Sequence, residues 1–318
     1  MPEAFAATTP PVAPSAARLR FGTAPVNWNN FDLEGWRPEV PFPGILDEMK
    51  AAGYVRTEWD VSFGLDPDTL REEADRRGIA FVGAYRWVDF LDDARFERDV
   101  EQLRGFLPVL QALDIENLIV ADALRPMRVA HAGAIPADGS RSLPPSGYTD
   151  IARNLHALSE VASNHGLRVR YHNHVGSWIE TPDEVARLIE ELDLERVDLC
   201  FDTGHYAFGG GAPHKFIEDH GPAIGMLHLK DVDPQILARA RQSGWSFRDA
   251  LRQIIFCPLG EGNARINETV AVLVDREFAG DIIIEQDTCA GDSTDTARLN
   301  LDRARAFEES RRASRSDP

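Results

Sequence analysis

Eight short apolar or β-branched runs, at 20–26, 54–60, 80–86, 117–122, 168–174, 197–203, 224–230 and 281–287, recur along this 318-residue chain with helix-period segments between them. Strands that alternate with helices form a parallel sheet with the helices as crossovers. Eight such units in one chain of this length predict an α/β fold closed as a (β/α)8 TIM barrel. The clearest helical segments are 42–53, 67–78, 94–114, 147–166, 181–193 and 266–280. Thr181 and Glu184 have the spacing of a capping box, and Gly53, Gly78, Gly166 and Gly280 stand where helices should stop. No GxGxxG follows the first run, which counts against a dinucleotide-binding sheet, and no shift in composition marks a second domain. The expected organisation is a flexible leader over 1–19, one barrel domain over 20–310 and a frayed polar tail over 311–318. The irregular stretch 123–147 follows the fourth strand, and a loop of that length is expected to cover the catalytic mouth.

In a parallel barrel the chemistry gathers outside the carboxyl ends of the strands, so the polar residues that end each apolar run are the ones to examine. VDLCFDTGH closes on Asp202 and His205, and IGMLHLKD on His228, Lys230 and Asp231. LRVRYHNHVG ends in His172, Asn173 and His174, and DIIIEQD in Glu285, Gln286 and Asp287. Strand alternation puts Asp202 on the face of Cys200, His228 on that of Met226 and Lys230, and Glu285 on that of Ile283 and Asp287. Three successive runs each send a carboxylate or imidazole to the same end, which is the pattern of a metal site. Glu58 ends YVRTEW and shares the interior with Arg56; it either pairs with that arginine or serves as a substrate contact or proton carrier. Arg170 points inward on the phase of His172 and is expected in an interior ion pair. Lys230 is either a surface cation at a strand exit or a charge facing a ketone oxygen, and His205 is a group that touches substrate, orients a ligand or makes a structural hydrogen bond. Among the tryptophans near strand ends, Trp28 is assigned to the substrate wall, whereas Trp59, Trp87 and Trp178 are read as packing. His214 and His220 are read as surface residues, and the glycines at 209–211 lack the lysine of a phosphate loop.

The net charge of −18 excludes the basic surface that a nucleic-acid backbone requires and leaves small soluble metabolites as partners. Three cysteines without CxxC spacing do not make a disulfide framework, so a reducing cytoplasm is expected. The leader has no basic n-region followed by an apolar core, and no run reaches the length of a membrane span. Assembly into a homo-oligomer stays open.

The segments APVNWNNFDLEGW, GYVRTEW, YHNHVG, FDTGHYAFGGG, MLHLKDVDP and PLGEGNARI followed by IIIEQD resemble those of the xylose-isomerase-like barrel superfamily of sugar isomerases and epimerases. Within it the chain is most similar to the myo-inosose dehydratases, over about Arg20 to Arg305. The resemblance implies a divalent-metal site of Glu, Asp, His and Glu on strands five to eight. Asp202, His228 and Glu285 match three of those positions, and HNHVG departs from the first. His172 is the expected fourth ligand, with His174 beside it as a substrate contact. Mixed nitrogen and oxygen donors favour Mn2+ or Co2+, with Zn2+ as a third option. The implied activity is the metal-dependent dehydration of a cyclic polyhydroxy ketone, 2-keto-myo-inositol, with Glu58, His205 and Lys230 handling protons. The alternative is a ketose 3-epimerase or aldose-ketose isomerase.

Overall fold

The computed structural model describes residues 18–316 apart from Glu34. Eight parallel strands close a barrel: β1 (Arg20–Thr23), β2 (Arg56–Trp59), β3 (Ala80–Val88), β4 (Asn117–Asp122), β5 (Arg168–His172), β6 (Val197–Asp202), β7 (Ile224–Leu229) and β10 (Asp281–Ile284). Neighbours follow chain order, and β10 pairs with both β7 and β1. β8 (Asp231–Val232) and β9 (Phe256–Cys257) form a separate antiparallel ribbon above β7. All eight expected strands are present, and each of the six expected helical segments contains a helix.

Local chemistry explains where the elements stop. The Thr181 side chain accepts from the Glu184 N–H while the Glu184 carboxylate accepts from the Thr181 N–H, closing the capping box on the helix Pro182–Glu191. Gly53, Gly78 and Gly166 take left-handed φ of 96°, 66° and 74° after their helices, which a side chain would resist. Gly280 acts differently, because a Cβ there would strike the Gly225 carbonyl and its bareness lets β10 approach β7.

Two apolar layers hold the barrel. One lies between strands and helices; the other is a plug inside the barrel that includes Ile119, Cys200, Met226 and Ile283. Below the plug, charged groups close the floor. Arg56 and Arg20 converge on Asp281, and Arg168 and Arg170 on Asp198, with Arg170 also donating to Asn117. Arg170 is thus in the interior ion pair expected of it, and Arg56 pairs with Asp281 rather than with Glu58.

One expectation is corrected. The stretch 123–147 does not cover the mouth, since none of its residues lines the central cavity. It leaves the C-terminal end of β4, forms a short helix at Pro126–Val129 and packs Leu124 and Val129 against Gly176. What holds it is Arg128, fully buried, which donates to the Ser177 and Arg141 carbonyls and to both oxygens of Glu184. The last helix runs Ser293–Ser316 into the residues expected to fray, with Arg311 on Asp275 and Arg312 on Glu308. Of the expected leader, 1–17 lie outside the described residues; Leu19 is buried and its N–H donates to Glu308.

Candidate metal centre and active-site cavity

A cavity of ≈ 450 Å³ opens at the carboxyl ends of the strands, within the roughly 300–1,000 Å³ range of small-molecule sites. Its floor carries His172, His228, Lys230, Glu285, Asp287 and Glu58, with His174 and His205 on one side. The opposite wall comes from the segments after β1 and β2, including Asn29, Asp32 and Asp60, and from Tyr85 and Trp87 of β3.

The DTGH sequence places the floor residue by residue. Asp202 ends β6 and its Oδ1 accepts from the His205 N–H at 2.6 Å, capping the short helix Thr203–Phe208 and leaving Oδ2 free to face the barrel axis. The Thr203 hydroxyl accepts from the Lys230 N–H at 2.9 Å and donates to the Lys230 carbonyl at 2.8 Å, tying β6 to the exit of β7. Gly204 lies where a Cβ would strike the Lys230 stem, so glycine lets that side chain pass into the cavity. Asn173 brackets the Asp202 backbone with two hydrogen bonds, 3.0 and 3.1 Å long. The Asp231 of HLKD is structural: its carboxylate accepts from the N–H groups of Val232, Gly260, Gly262 and Ala264, all at 2.9 Å, and fixes the PLGEGNA loop.

Three donor atoms, from His172, Asp202 and His228, cluster above the apolar plug, with Glu285 against His228. His172 Nε2 lies 3.1 Å from His228 Nδ1 and 3.5 Å from Asp202 Oδ2, and His228 Nδ1 lies 3.1 Å from Glu285 Oε2. Ligand bonds of about 2.0–2.2 Å put neighbouring donors about 3.0–3.4 Å apart around an octahedral or tetrahedral ion, so this spacing suits a divalent metal. Asp202 Oδ2 is buried with no hydrogen-bond donor of its own, which is the state of an oxygen built to meet a cation. The residues therefore fit a metal. His228 Nε2 faces Glu58 Oε1 at 2.7 Å, so Glu58 orients the imidazole and leaves Nδ1 for the cluster. Glu58, His228 and Glu285 also form a second close group of ligand-type atoms.

Lys230 Nζ stands beside this cluster, 2.7 Å from Asp287, 3.0 Å from Glu285, 3.5 Å from Asp202 and 3.3 Å from His205 Nε2. Burial alone would push its ammonium down, but the three carboxylates outweigh it and hold the pKa well above the usual value. Burial likewise drives His174 and His205 well below the ordinary imidazole range and His172 to about 4, so all three are neutral. Burial would lift Asp202, yet Lys230 and His172 hold it below the usual carboxylate value. Burial raises Asp287 to about 7 against the pull of Lys230.

The structure thus brings together His172, His174, Asp202, His205, His228, Lys230, Glu285 and Glu58, and it leaves Trp28 out. The turn Pro25–Asn27 rotates Trp28 away from the mouth, and its Nε1 donates to Thr294 at 3.1 Å, against the last helix. Trp59 and Trp87, read as packing, line the cavity instead, and Trp87 stands edge-on to His174 at 4.7 Å. Tyr85 and Asp32 escape a reading of the sequence altogether. Alternation outward from the bare Gly83 puts both Tyr85 and Trp87 inside the barrel, but the run ends visibly at 86 whereas the strand continues to Val88. His214 and His220 lie outside the cavity.

Residues 35–315 match the family described as the xylose isomerase-like TIM barrel. An inosose dehydratase of Geobacillus kaustophilus (strain HTA426) is 30% identical over 267 residues, covering 84% of this chain and 87% of that protein. Among solved structures, the IOLI protein with a bound zinc atom superposes with a TM-score of 0.69 at 12% identity, over 92% of this chain and 99% of that one. A xylose isomerase-like TIM barrel/4-hydroxyphenylpyruvate dioxygenase fusion protein superposes with a TM-score of 0.68 at 18% identity over 94% of this chain; the chain spans 44% of that longer protein. The chain belongs to the xylose isomerase-like TIM barrel family, as an enzyme of the dehydratase, carbon–oxygen lyase, kind.

Proposed function

We propose that the protein is a divalent-metal-dependent dehydratase of a cyclic polyhydroxy ketone, 2-keto-myo-inositol, and that it acts in the cytoplasm in inositol catabolism. The observation that carries this reading is the close grouping of His172, Asp202 and His228, with Glu285 against His228, at the floor of a small-molecule-sized cavity. The name of the Geobacillus kaustophilus relative, inosose dehydratase, supports the substrate. The IOLI neighbour holds zinc, whereas two imidazoles and two carboxylates on this chain favour Mn2+ or Co2+, with Zn2+ next.

His172, Asp202, His228 and Glu285 would hold a divalent ion, which would supply a Lewis acid to acidify the proton α to the ketone and stabilise charge developing on its oxygen. In the overall step a base takes that proton, the C–H electron pair becomes the new C=C bond, and the β-hydroxyl leaves with a proton as water. Glu58 Oε1 lies 2.7 Å from His228 Nε2 and orients the ring. Lys230 presents a fixed positive charge to the cavity, aimed by Asp287. His205 lies within 3.3 Å of Lys230 Nζ, and its ring packs on His174 at 3.7 Å, so Lys230, His205 and Glu58 are the groups that carry protons at this floor. His174 forms the side wall against substrate.

The chain's charge and cysteines agree with such a partner. A net charge of −18 suits a small polyol rather than nucleic acid, the three cysteines are free and buried, and no helix of the described residues is long and apolar enough to cross a membrane. The test is turnover of 2-keto-myo-inositol, followed as new enone absorbance, before and after chelation and after restoring Mn2+, Co2+ or Zn2+. Undiminished turnover after complete metal removal overturns the metal assignment. Epimerised ketose without loss of water would make the enzyme an epimerase instead.

A further inference from the structure

Tyr85 reaches the cavity but has no part in the ligand cluster or the proton-carrying groups. It points inward from β3, its ring edge-on to His172 at 5.3 Å and to Trp87 at 5.5 Å, so the ring is firmly packed. Its hydroxyl is buried and has no hydrogen-bond partner among the described residues. Packing explains the ring and leaves the oxygen unexplained, because a phenylalanine would fill the same space without burying an unpaired donor. Nearby acceptors are taken: Glu58 by His228, and Glu285 by His228 and Lys230.

We propose that the Tyr85 hydroxyl donates a hydrogen bond to an oxygen of the bound ligand. Tyr85 thereby becomes a residue that touches substrate and fixes the orientation of its ring over the metal ligands. The assignment rests on the reading of the cavity as a polyhydroxy-ketone site.

The experiment is Tyr85→Phe, compared with wild type in ligand-free Tm, metal content, kcat/KM, and the rise in Tm produced by 2-keto-myo-inositol and by myo-inositol. Removing an unpaired hydroxyl should leave the ligand-free Tm unchanged or raise it by about 2 °C, with metal content unaltered. Loss of a donor to substrate should lower kcat/KM by about tenfold to a hundredfold and shrink the ligand-induced rise in Tm. A clear fall in ligand-free Tm would show that the hydroxyl serves the fold, and kcat/KM or ligand-induced stabilisation equal to wild type would show that it does not meet the ligand; either overturns the assignment. If wild type does not dehydrate 2-keto-myo-inositol, the dehydratase reading fails by itself. The Tyr85 assignment is then decided by a panel of neutral cyclitols and ketohexoses: a larger Tm rise for wild type than for Tyr85→Phe upholds it, and equal rises, or none, overturn it.

Discussion

Replacing Arg128 by methionine is the most exacting test of how the molecule holds its active-site end. The substitution keeps the apolar stem and removes a guanidinium that donates to Ser177 and Arg141 carbonyls and lies 2.7 and 2.8 Å from the two oxygens of Glu184, with Glu180 3.8 Å away. Unit charges about 4 Å apart attract by about 4 kcal/mol at an effective dielectric of about 20. Removing one partner of a buried pair costs about 3–5 kcal/mol by mutational experience, because the other charge is left uncompensated. Glu184 keeps donors from Thr181, Glu180 and Ser142, which softens the loss, while two carbonyls lose a partner, which adds to it. The expected cost is about 4 kcal/mol, a large share of the roughly 5–15 kcal/mol that stabilises a folded protein. Urea unfolding followed by circular dichroism measures it. Adding Glu184→Gln neutralises the stranded carboxylate, so the double variant should recover about 2 kcal/mol relative to the sum of the single changes. A cost below about 1 kcal/mol, or strict additivity, would refute the argument that this buried pair pins the 123–147 stretch to the segment beyond His174.

Three further outcomes are expected. Asp202→Ala and Glu285→Ala should each lose bound metal and turnover while keeping the barrel's circular dichroism spectrum; normal metal content with normal turnover in either would sink the site assignment. Glu58→Gln should weaken metal affinity about 10- to 100-fold through the loosened His228 imidazole, measured by competition with a chelator. Glu180, whose carboxyl burial raises to about 7 from 4.5, stays protonated in the fold at pH values where the unfolded chain has released its proton. Stability from this group is therefore full below pH about 4.5 and falls as pH rises to about 7, by on the order of 3 kcal/mol, so Glu180→Gln should flatten the decline of Tm with pH across that window.

The polar residues around the cavity floor were legible because each ends its own apolar strand. Asp202 pairs with His228 across β6 and β7, and His172 with Cys200 across β5 and β6, so alternation within each strand was enough to aim them. What escaped lies where the chain departs from a regular strand. Trp28 follows β1 by five residues, but the intervening turn spends those residues rotating the ring outward. The helices Pro234–Ser243 and Phe247–Arg252, which lead to the ribbon above β7, are short, and both carry polar residues that hide their apolar faces. Arg128 reads as a surface residue of an irregular stretch, because its partners Glu184 and Ser177 lie 56 and 49 residues away.

The floor of the barrel constrains the order in which its sequence can change. A Cβ at Gly225 would fall within the Arg170 guanidinium that crosses beneath β7 to reach Asp198. Alanine at 225 therefore requires the guanidinium to move from its present place. The reverse order is open: Asp198 is also held by Arg168 at 2.7 Å, so a shorter residue at 170 leaves that carboxylate paired and vacates the space. A recombined β7 that carries a side chain at 225 therefore displaces this guanidinium unless its β5 carries a shorter residue at 170.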